Sequence, residues 1–350
     1  MSRSAPAADA ASGPGTPCPS GDALAGLFAA FNAHARVLLA VSGGPDSTAL
    51  MLLAQRWQTA FHPATRLHVA TVDHGLRAEA RDEAQAVGAL AERLGLPHAI
   101  LDLPVPLPGT GLQEAARHAR YEALAAHARV IGADALATGH TLDDQAETVL
   151  FRLLRGSGLG GLAGIPAARP LGSLTLLRPL LGWPKAELVA LCRAANIDFC
   201  EDPSNSNPRF ARARLRALLP VLAAEGGDAA TFGRLAQRLA RAEAALEAAT
   251  DAAAARLGPV EAGTGAVSFP RPGLAALPEE IALRLMDRAL AAFATGPVEL
   301  GKLEALMGWI AALPPAGHGA RTLAGALVRV NRQRVTVTRA PARRAAGSAH

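Results

Sequence analysis

The sequence predicts an α/β protein: a doubly wound parallel sheet carrying a smaller, mainly helical second domain. Three observations predict it. Short apolar runs alternate with helical periodicities from Arg36 to Thr138, the pattern of consecutive βα units. Polar groups gather just after three of those runs, at Ser42–Ser47, Asp73–Arg77 and Gly139–Asp144, where open α/β sheets bind ligands. Near Leu222 the composition shifts to long Ala-rich helical patterns.

The elements follow in order. Arg36–Val41 is a short apolar strand, and Asp46–Trp57 reads as a helix. Leu67–Val72 is a second strand. Glu79–Leu94 has helical periodicity and stops at Gly95, a C-cap residue. His98–Leu103 is a third strand and Gln113–Val130 a long helix. Ala133–Ala137 is a fourth strand, followed by a helix that starts at Thr141 or Asp143 and runs to about Leu154. The Gly- and Pro-rich stretch 155–173 reads as a mobile loop. Leu174–Leu177 is a further strand, and Pro184–Asn196 a helix with Pro at its start. Beyond the boundary, Asp228–Arg256, Glu279–Phe293 and Val298–Ala312 read as helices. Residues 326–330 and 334–338 form a hairpin about Asn331-Arg332-Gln333. The expected organisation is a disordered tail over 1–22, a nucleotide-binding domain over 23–222, a helical domain over 223–340 and a second tail over 341–350.

Bulk properties narrow the function classes. The chain has 350 residues, half of them apolar. No apolar run reaches the ~18–20 residues that cross a bilayer, and no signal peptide is evident. Cys18, Cys192 and Cys200 form no C-x-x-C pair, which fits a reducing cytoplasm and not a disulfide or zinc framework. The net charge of +5 is compatible with a nucleic-acid partner.

The motifs carry more. Ser42-Gly43-Gly44-Pro45-Asp46-Ser47 links a buried strand to a helix. Its backbone amides and the positive helix end suit a phosphate, and the two serine hydroxyls can donate to phosphate oxygens. The lysine of the common G-x-x-x-x-G-K-[ST] loop is missing. Asp46 would not meet a phosphate directly, so it reads as a Mg²⁺ ligand or a helix cap. Asp143 and Asp144 stand at a helix start, where carboxylates are favoured as capping acids. Asp143 shares a face with Glu147, and Asp144 with Thr148, so the acids also suit Mg²⁺. His74 and Arg77 follow the second strand. Arg117 shares a helix face with Tyr121 and reads either as a solvated cation or as one that reaches an α-phosphate. Arg209, Arg212, Arg214 and Arg216 fall within eight residues with no acid among them, a basic patch for RNA phosphates. Arg234, Arg238 and Arg241 form one helical stripe.

Together these blocks resemble the tRNA(Ile)-lysidine synthase family of the ATP pyrophosphatase (PP-loop) group. The matching stretches are SGGPDS at 42–47, VDHGLR at 72–77, ARHARY at 116–121 and TGHTLDDQAETVLFRLLRGSGLGGLAGI at 138–165. RPLL at 178–181, EDPSN at 201–205 and RARLR at 212–216 follow in order. SGGPDS is shared by the whole group; the block from Asp143 to Leu162 is far more specific. Thr141 stands where the family often has a second His, and Ala213 where it has an Asn. Beyond about Ala223 the likeness is weak, and the further C-terminal domain of longer members is not expected.

The resemblance implies the adenine-nucleotide-hydrolase-like fold and an ATP-dependent ligase. ATP would adenylate the C2 oxygen of the wobble cytidine, C34, in the isoleucine tRNA with a CAU anticodon. Free L-lysine would then displace AMP, giving lysidine and changing codon reading from AUG to AUA. It implies catalytic roles for Asp46, Arg117 and Asp143, and nucleotide binding by Ser42–Ser47, His74 and Arg77. Asp46 and Asp144 would hold Mg²⁺, and the 209–216 arginines would contact tRNA. A homodimer in the cytoplasm is expected. A tRNA thiolase of the same group would need sulfur-carrying cysteines. A non-catalytic tRNA binder would not need the intact loop.

Overall fold

The computed structural model describes residues 19–73, 75, 79–103, 112–200, 211–258 and 265–341. Most of the two expected tails lies outside them. The chain divides into two compact units, the first running to Ser157 and from Gly161 to Gln237, the second comprising Gly158–Gly160 and Arg238 onward.

In the first unit the described elements are α1 (Asp22–Leu27), β1 (Arg36–Ala40), α2 (Pro45–Phe61), β2 (Arg66–Asp73), α3 (Glu79–Arg93), β3 (His98–Asp102), α4 (Leu112–Ile131), β4 (Ala135–Thr138) and α5 (Leu142–Leu153). They continue with α6 (Leu159–Leu162), which runs across the division, then β5 (Ala168–Leu171), β6 (Leu174–Leu177), α7 (Lys185–Ala194) and α8 (Ala211–Ala224). The sheet order is β3-β2-β1-β4-β6-β5, parallel except for the antiparallel edge strand β5. The predicted doubly wound sheet is therefore present. Its order turns about β1, so a crevice opens between the carboxyl ends of β1 and β4.

The period-two alternation of β1 divides the core between two faces. Val37 and Leu39 point to the layer built by α2, α3 and α7, where Trp57, Phe28 and Phe31 are fully buried. Leu38 points to the opposite layer, with Leu124 and Ala128 of α4 and Leu136 and Leu176 of the sheet.

Residues 155–173 correct the mobile-loop expectation. Gln145 of α5 exchanges two hydrogen bonds with the Ile165 backbone, at 2.6 and 3.1 Å. Arg152 donates to the Gly161 and Gly164 carbonyls at 2.7 and 2.8 Å. The glycines serve close packing here: a Cβ on Gly164 would stand 2.5 Å from Gln145 Oε1. Strand β5 carries Arg169-Pro170 and is largely exposed, as suits a sheet edge.

In the second unit, α9 (Ala229–Leu257, entering from the first), β7 (Ala266–Pro270), α10 (Arg271–Ala275), α11 (Glu279–Ala291), α12 (Leu300–Ala312), β8 (Gly319–Leu323), β9 (Ala326–Val330) and β10 (Arg334–Arg339) are described. The hairpin is there: Asn331 Oδ1 accepts from the amides of Gln333 and Arg334, closing its turn. It belongs, however, to a four-stranded antiparallel sheet ordered β7-β10-β9-β8. The two added strands are its edges. One ends in Pro270 and the other is polar and mostly exposed, so neither shows the alternation of a buried strand. Among the described residues no helix is long and apolar enough to cross a membrane.

Candidate functional site

The loop Ser42–Ser47 leaves β1 and enters α2. Gly43 has φ +87°, which only glycine adopts without strain. Pro45 stands at the first helical position and Gly44 is the N-cap without a side-chain cap bond, so first-turn amides of α2 are left for a ligand. Ser47 holds the loop together: its hydroxyl accepts from the Ser42 amide at 3.1 Å and donates to the Gly44 carbonyl at 3.0 Å. The Ser42 hydroxyl lies 3.3 Å from that of Ser47. The Cys200 amide donates to the Gly43 carbonyl at 2.9 Å, and the Cys192 thiol lies 3.6 Å from the Pro45 carbonyl. Burial pushes the Cys192 thiol up to about 11, a poor start for sulfur chemistry.

The turn after β4 packs onto this loop. A Cβ on Gly139 would lie 2.8 Å from the Asp46 carbonyl oxygen, so only glycine lets the turn after β4 approach the first turn of α2. Thr141 then caps α5 in a capping box: its hydroxyl accepts from the Asp144 amide, and Asp144 Oδ2 accepts from the Thr141 amide at 2.9 Å. Asp143 Oδ2 accepts from the Lys185 amide at 2.7 Å. Both acids therefore do perform capping and anchoring, as their position at a helix start suggests.

Asp46 is the loop's own acid. Burial raises its carboxyl above the ordinary range, opposed by Lys185, whose Nζ is 3.3 Å from Oδ2; Asp144 and Asp143 raise it further. Its Oδ1 is buried and has no hydrogen-bond partner among the described residues. That oxygen fits a cation. No group of three His, Cys, Asp or Glu able to hold a metal stands among the described residues. The donor set suits a Mg²⁺ held by one or two carboxylates together with substrate phosphates.

A second cluster faces the ends of β4 and β6. Arg117 and Arg120 lie over the ring of Tyr121, the sole tyrosine, at 5.1 and 5.6 Å from its centroid. Arg117 Nη2 is 3.5 Å from the Tyr121 hydroxyl. Arg178, buried after β6, donates to the Pro166 carbonyl at 2.7 Å. Burial lowers both Arg120 and Arg178. His140 bonds the Thr138 hydroxyl at 2.8 Å, and burial pulls it down to about 4, with Asp144 opposing. Two guanidiniums thus lie over one phenol, and Arg117, Arg120 and Arg178 all act on a neutral His140, leaving the cluster positively charged.

Other expected residues are placed unevenly. Arg216 Nε donates to the buried Glu147 at 2.6 Å, so this arginine joins α8 to α5 and is not simply part of an outward basic row. Arg214 is exposed. His74, Arg77, Arg209 and the side chain of Arg212 lie outside the described residues. Lys185, Arg178 and His140 were not singled out by sequence reasoning. The RPLL match contained Arg178, and the TGH match contained His140.

Comparison with known proteins is consistent with this geometry. A family model described as a PP-loop domain matches residues 22–222. A tRNA(Ile)-lysidine synthase from Bradyrhizobium diazoefficiens is 48% identical over 340 residues, covering 92% of this chain and 94% of the relative. One from Methylobacterium sp. is 54% identical over 313 residues, covering 88% and 90%. Among solved structures, the U34-tRNA thiolase NcsA from Methanococcus maripaludis aligns with a TM-score of 0.50 at 21% identity, covering 58% of this chain and 71% of that one. That likeness concerns the fold alone.

Proposed function

The chain belongs to the tRNA(Ile)-lysidine synthase family of PP-loop enzymes, and from that premise we propose how its residues serve the reaction. It is an ATP-dependent ligase that modifies tRNA(Ile). The observation that carries the reading is the glycine loop on the N-terminus of α2, pressed against Gly139 and edged by Asp46.

The C2 oxygen of C34 attacks the α-phosphorus of ATP. Pyrophosphate leaves into the loop amides and the positive end of α2, which meet the charge that develops on it. Asp46, with Asp144, would hold Mg²⁺, which when bound neutralises charge on the departing pyrophosphate. Arg117 meets the α-phosphate. Once adenylated, C2 bears a good leaving group. The ε-ammonium of free L-lysine gives one proton to water, the resulting amine attacks C2, AMP departs with the oxygen, and the second proton of the new C–N nitrogen also passes to water. Asp143, with one oxygen fixed by the Lys185 amide, orients the incoming ammonium by charge. Ser42–Ser47, His74 and Arg77 complete the ATP site, and Arg209, Arg212 and Arg214 face the tRNA. Arg216 contributes through Glu147. The setting is the cytoplasm, and a homodimer is the expected assembly.

The test is mass spectrometry of nucleosides after incubation with ATP, lysine and CAU-anticodon tRNA. Lysidine at C34, with AMP and pyrophosphate in equal amounts, is expected. Unmodified C34 despite tight tRNA binding would reduce the protein to a binder.

A further inference from the structure

The two glycines that bring the Ser42–Ser47 backbone close to a phosphate also leave it free to turn over. Gly43 has φ +87° and Gly44 φ −72°. Reversing the peptide between them changes chiefly ψ of Gly43 and φ of Gly44. It carries Gly44 to positive φ, which glycine accepts at no steric cost. In a trans peptide the C=O and the N–H stand on opposite edges. The reversal would therefore put an acceptor where a phosphate needs a donor.

One contact selects the orientation. The Cys200 amide donates to the Gly43 carbonyl at 2.9 Å. That carbonyl is held toward the chain that follows α7, so the Gly44 amide, on the other edge of the same peptide, faces away from it. Among the described residues the Gly44 amide has no acceptor. Cys200 also walls the glycine: a Cβ on Gly43 would lie 3.6 Å from its thiol and 3.4 Å from Val87.

The seat of Cys200 is set by the end of α7. Asn196 takes φ +53°, a conformation Asn tolerates. Its amide donates to the Arg193 carbonyl at 2.9 Å, and the Ile197 amide reaches back to the Cys192 carbonyl at 3.0 Å, the Schellman closure of a helix. Ile197 and Phe199 then pack against the core that α2 shares. Cys200 thus arrives beside Gly43 from a firmly packed turn. We propose that Cys200 is a positioning residue of the reaction. Its amide holds the Gly43-Gly44 peptide in one orientation, so that the Gly44 N–H donates to the departing pyrophosphate. The thiol takes no part in the chemistry. This rests on the assignment of the loop to pyrophosphate made above.

The sequence makes this peptide visible. Gly-Gly pairs occur only at Gly43-Gly44, Gly160-Gly161 and Gly226-Gly227. Protein labelled with carbon-13 and nitrogen-15 at glycine alone therefore gives just those correlations in a carbonyl-to-amide NMR spectrum, and the signal lost in Gly44→Ala is the one sought. Pyrophosphate with Mg²⁺ should move the Gly44 amide proton and leave that of Gly227 in place. Cys200→Pro has no amide to donate. Its Gly44 signal should split or broaden as both orientations are sampled, and pyrophosphate and ATP should bind about five- to tenfold more weakly. Cys200→Ala, which keeps the amide, should regain most of that affinity. Wild-type affinity in a folded Cys200→Pro protein would overturn the proposal. So would a Gly44 amide that stays unmoved in the wild-type protein while pyrophosphate binds, a reading that needs no variant to fold. Failure of the wild-type protein to bind pyrophosphate would instead sink the loop assignment itself.

Discussion

At the scale of single residues, the site holds its charges at a cost. Asp46 is raised chiefly by burial. By linkage, a raised acid leaves stability intact below its unfolded value, 3.8, and takes it away as pH rises through the folded value. Asp46→Asn should therefore abolish lysidine formation while melting at the same or a higher temperature at pH 7; a clear drop in Tm would contradict that. His140 has the opposite sign. Its folded value of about 4 lies below its ordinary 6.5, so the unfolded chain takes up the proton first. Stability is full above pH 6.5 and falls toward pH 4, by at most about 1.4 kcal/mol per pH unit. Urea unfolding of wild type and His140→Gln across pH 7 to 4 should show a shallower slope in the variant. The loop serines, Asp46 and the Asp143-Asp144 pair were legible because each sits in a local motif. Lys185 was not: its partners are 139 and 42 positions away, and a lone lysine at a helix start has no local signal.

At the scale of elements, helices with strong periodicity and strands buried on both faces were legible to within a few residues. The missed strands share a cause. Strands β5, β7 and β8 all lie at sheet edges, where one side of the backbone meets no partner and side chains need not alternate. Helix α8 was hidden by its arginines and by the internal Pro220. The turn after β4 is pressed against the first turn of α2, backbone to backbone. Gly139→Ala places a methyl where backbone already stands, at 2.8 Å from the Asp46 carbonyl. Neither side can yield by rotating a side chain. ATP affinity should fall at least tenfold with far-ultraviolet dichroism unchanged, and wild-type affinity in a folded variant would refute the close approach.

For the whole molecule, cationic character is carried almost wholly by arginine. Arg234, Arg238 and Arg241 are exposed along α9. Reversing all three to Glu should weaken tRNA binding and flatten its salt dependence, with ATP affinity untouched. Filter binding from low to moderate salt measures this, and unchanged tRNA affinity would clear the stripe of that role. The likeness was expected to fade beyond about Ala223, but relatives align at 48–54% identity over 88–92% of the chain, so it extends well into the second unit.

The scarcity of lysine turns the protein into its own footprinting assay. Apart from the chain's amino terminus, an amine-selective reagent has two targets, Lys185 beside the glycine loop and Lys302, which is exposed and pairs with Glu299 at 2.8 Å. Acylation at Lys302 then serves as an internal clock. Shielding of Lys185 relative to it, read by peptide mass, would chart nucleotide occupancy turnover by turnover without any engineered label.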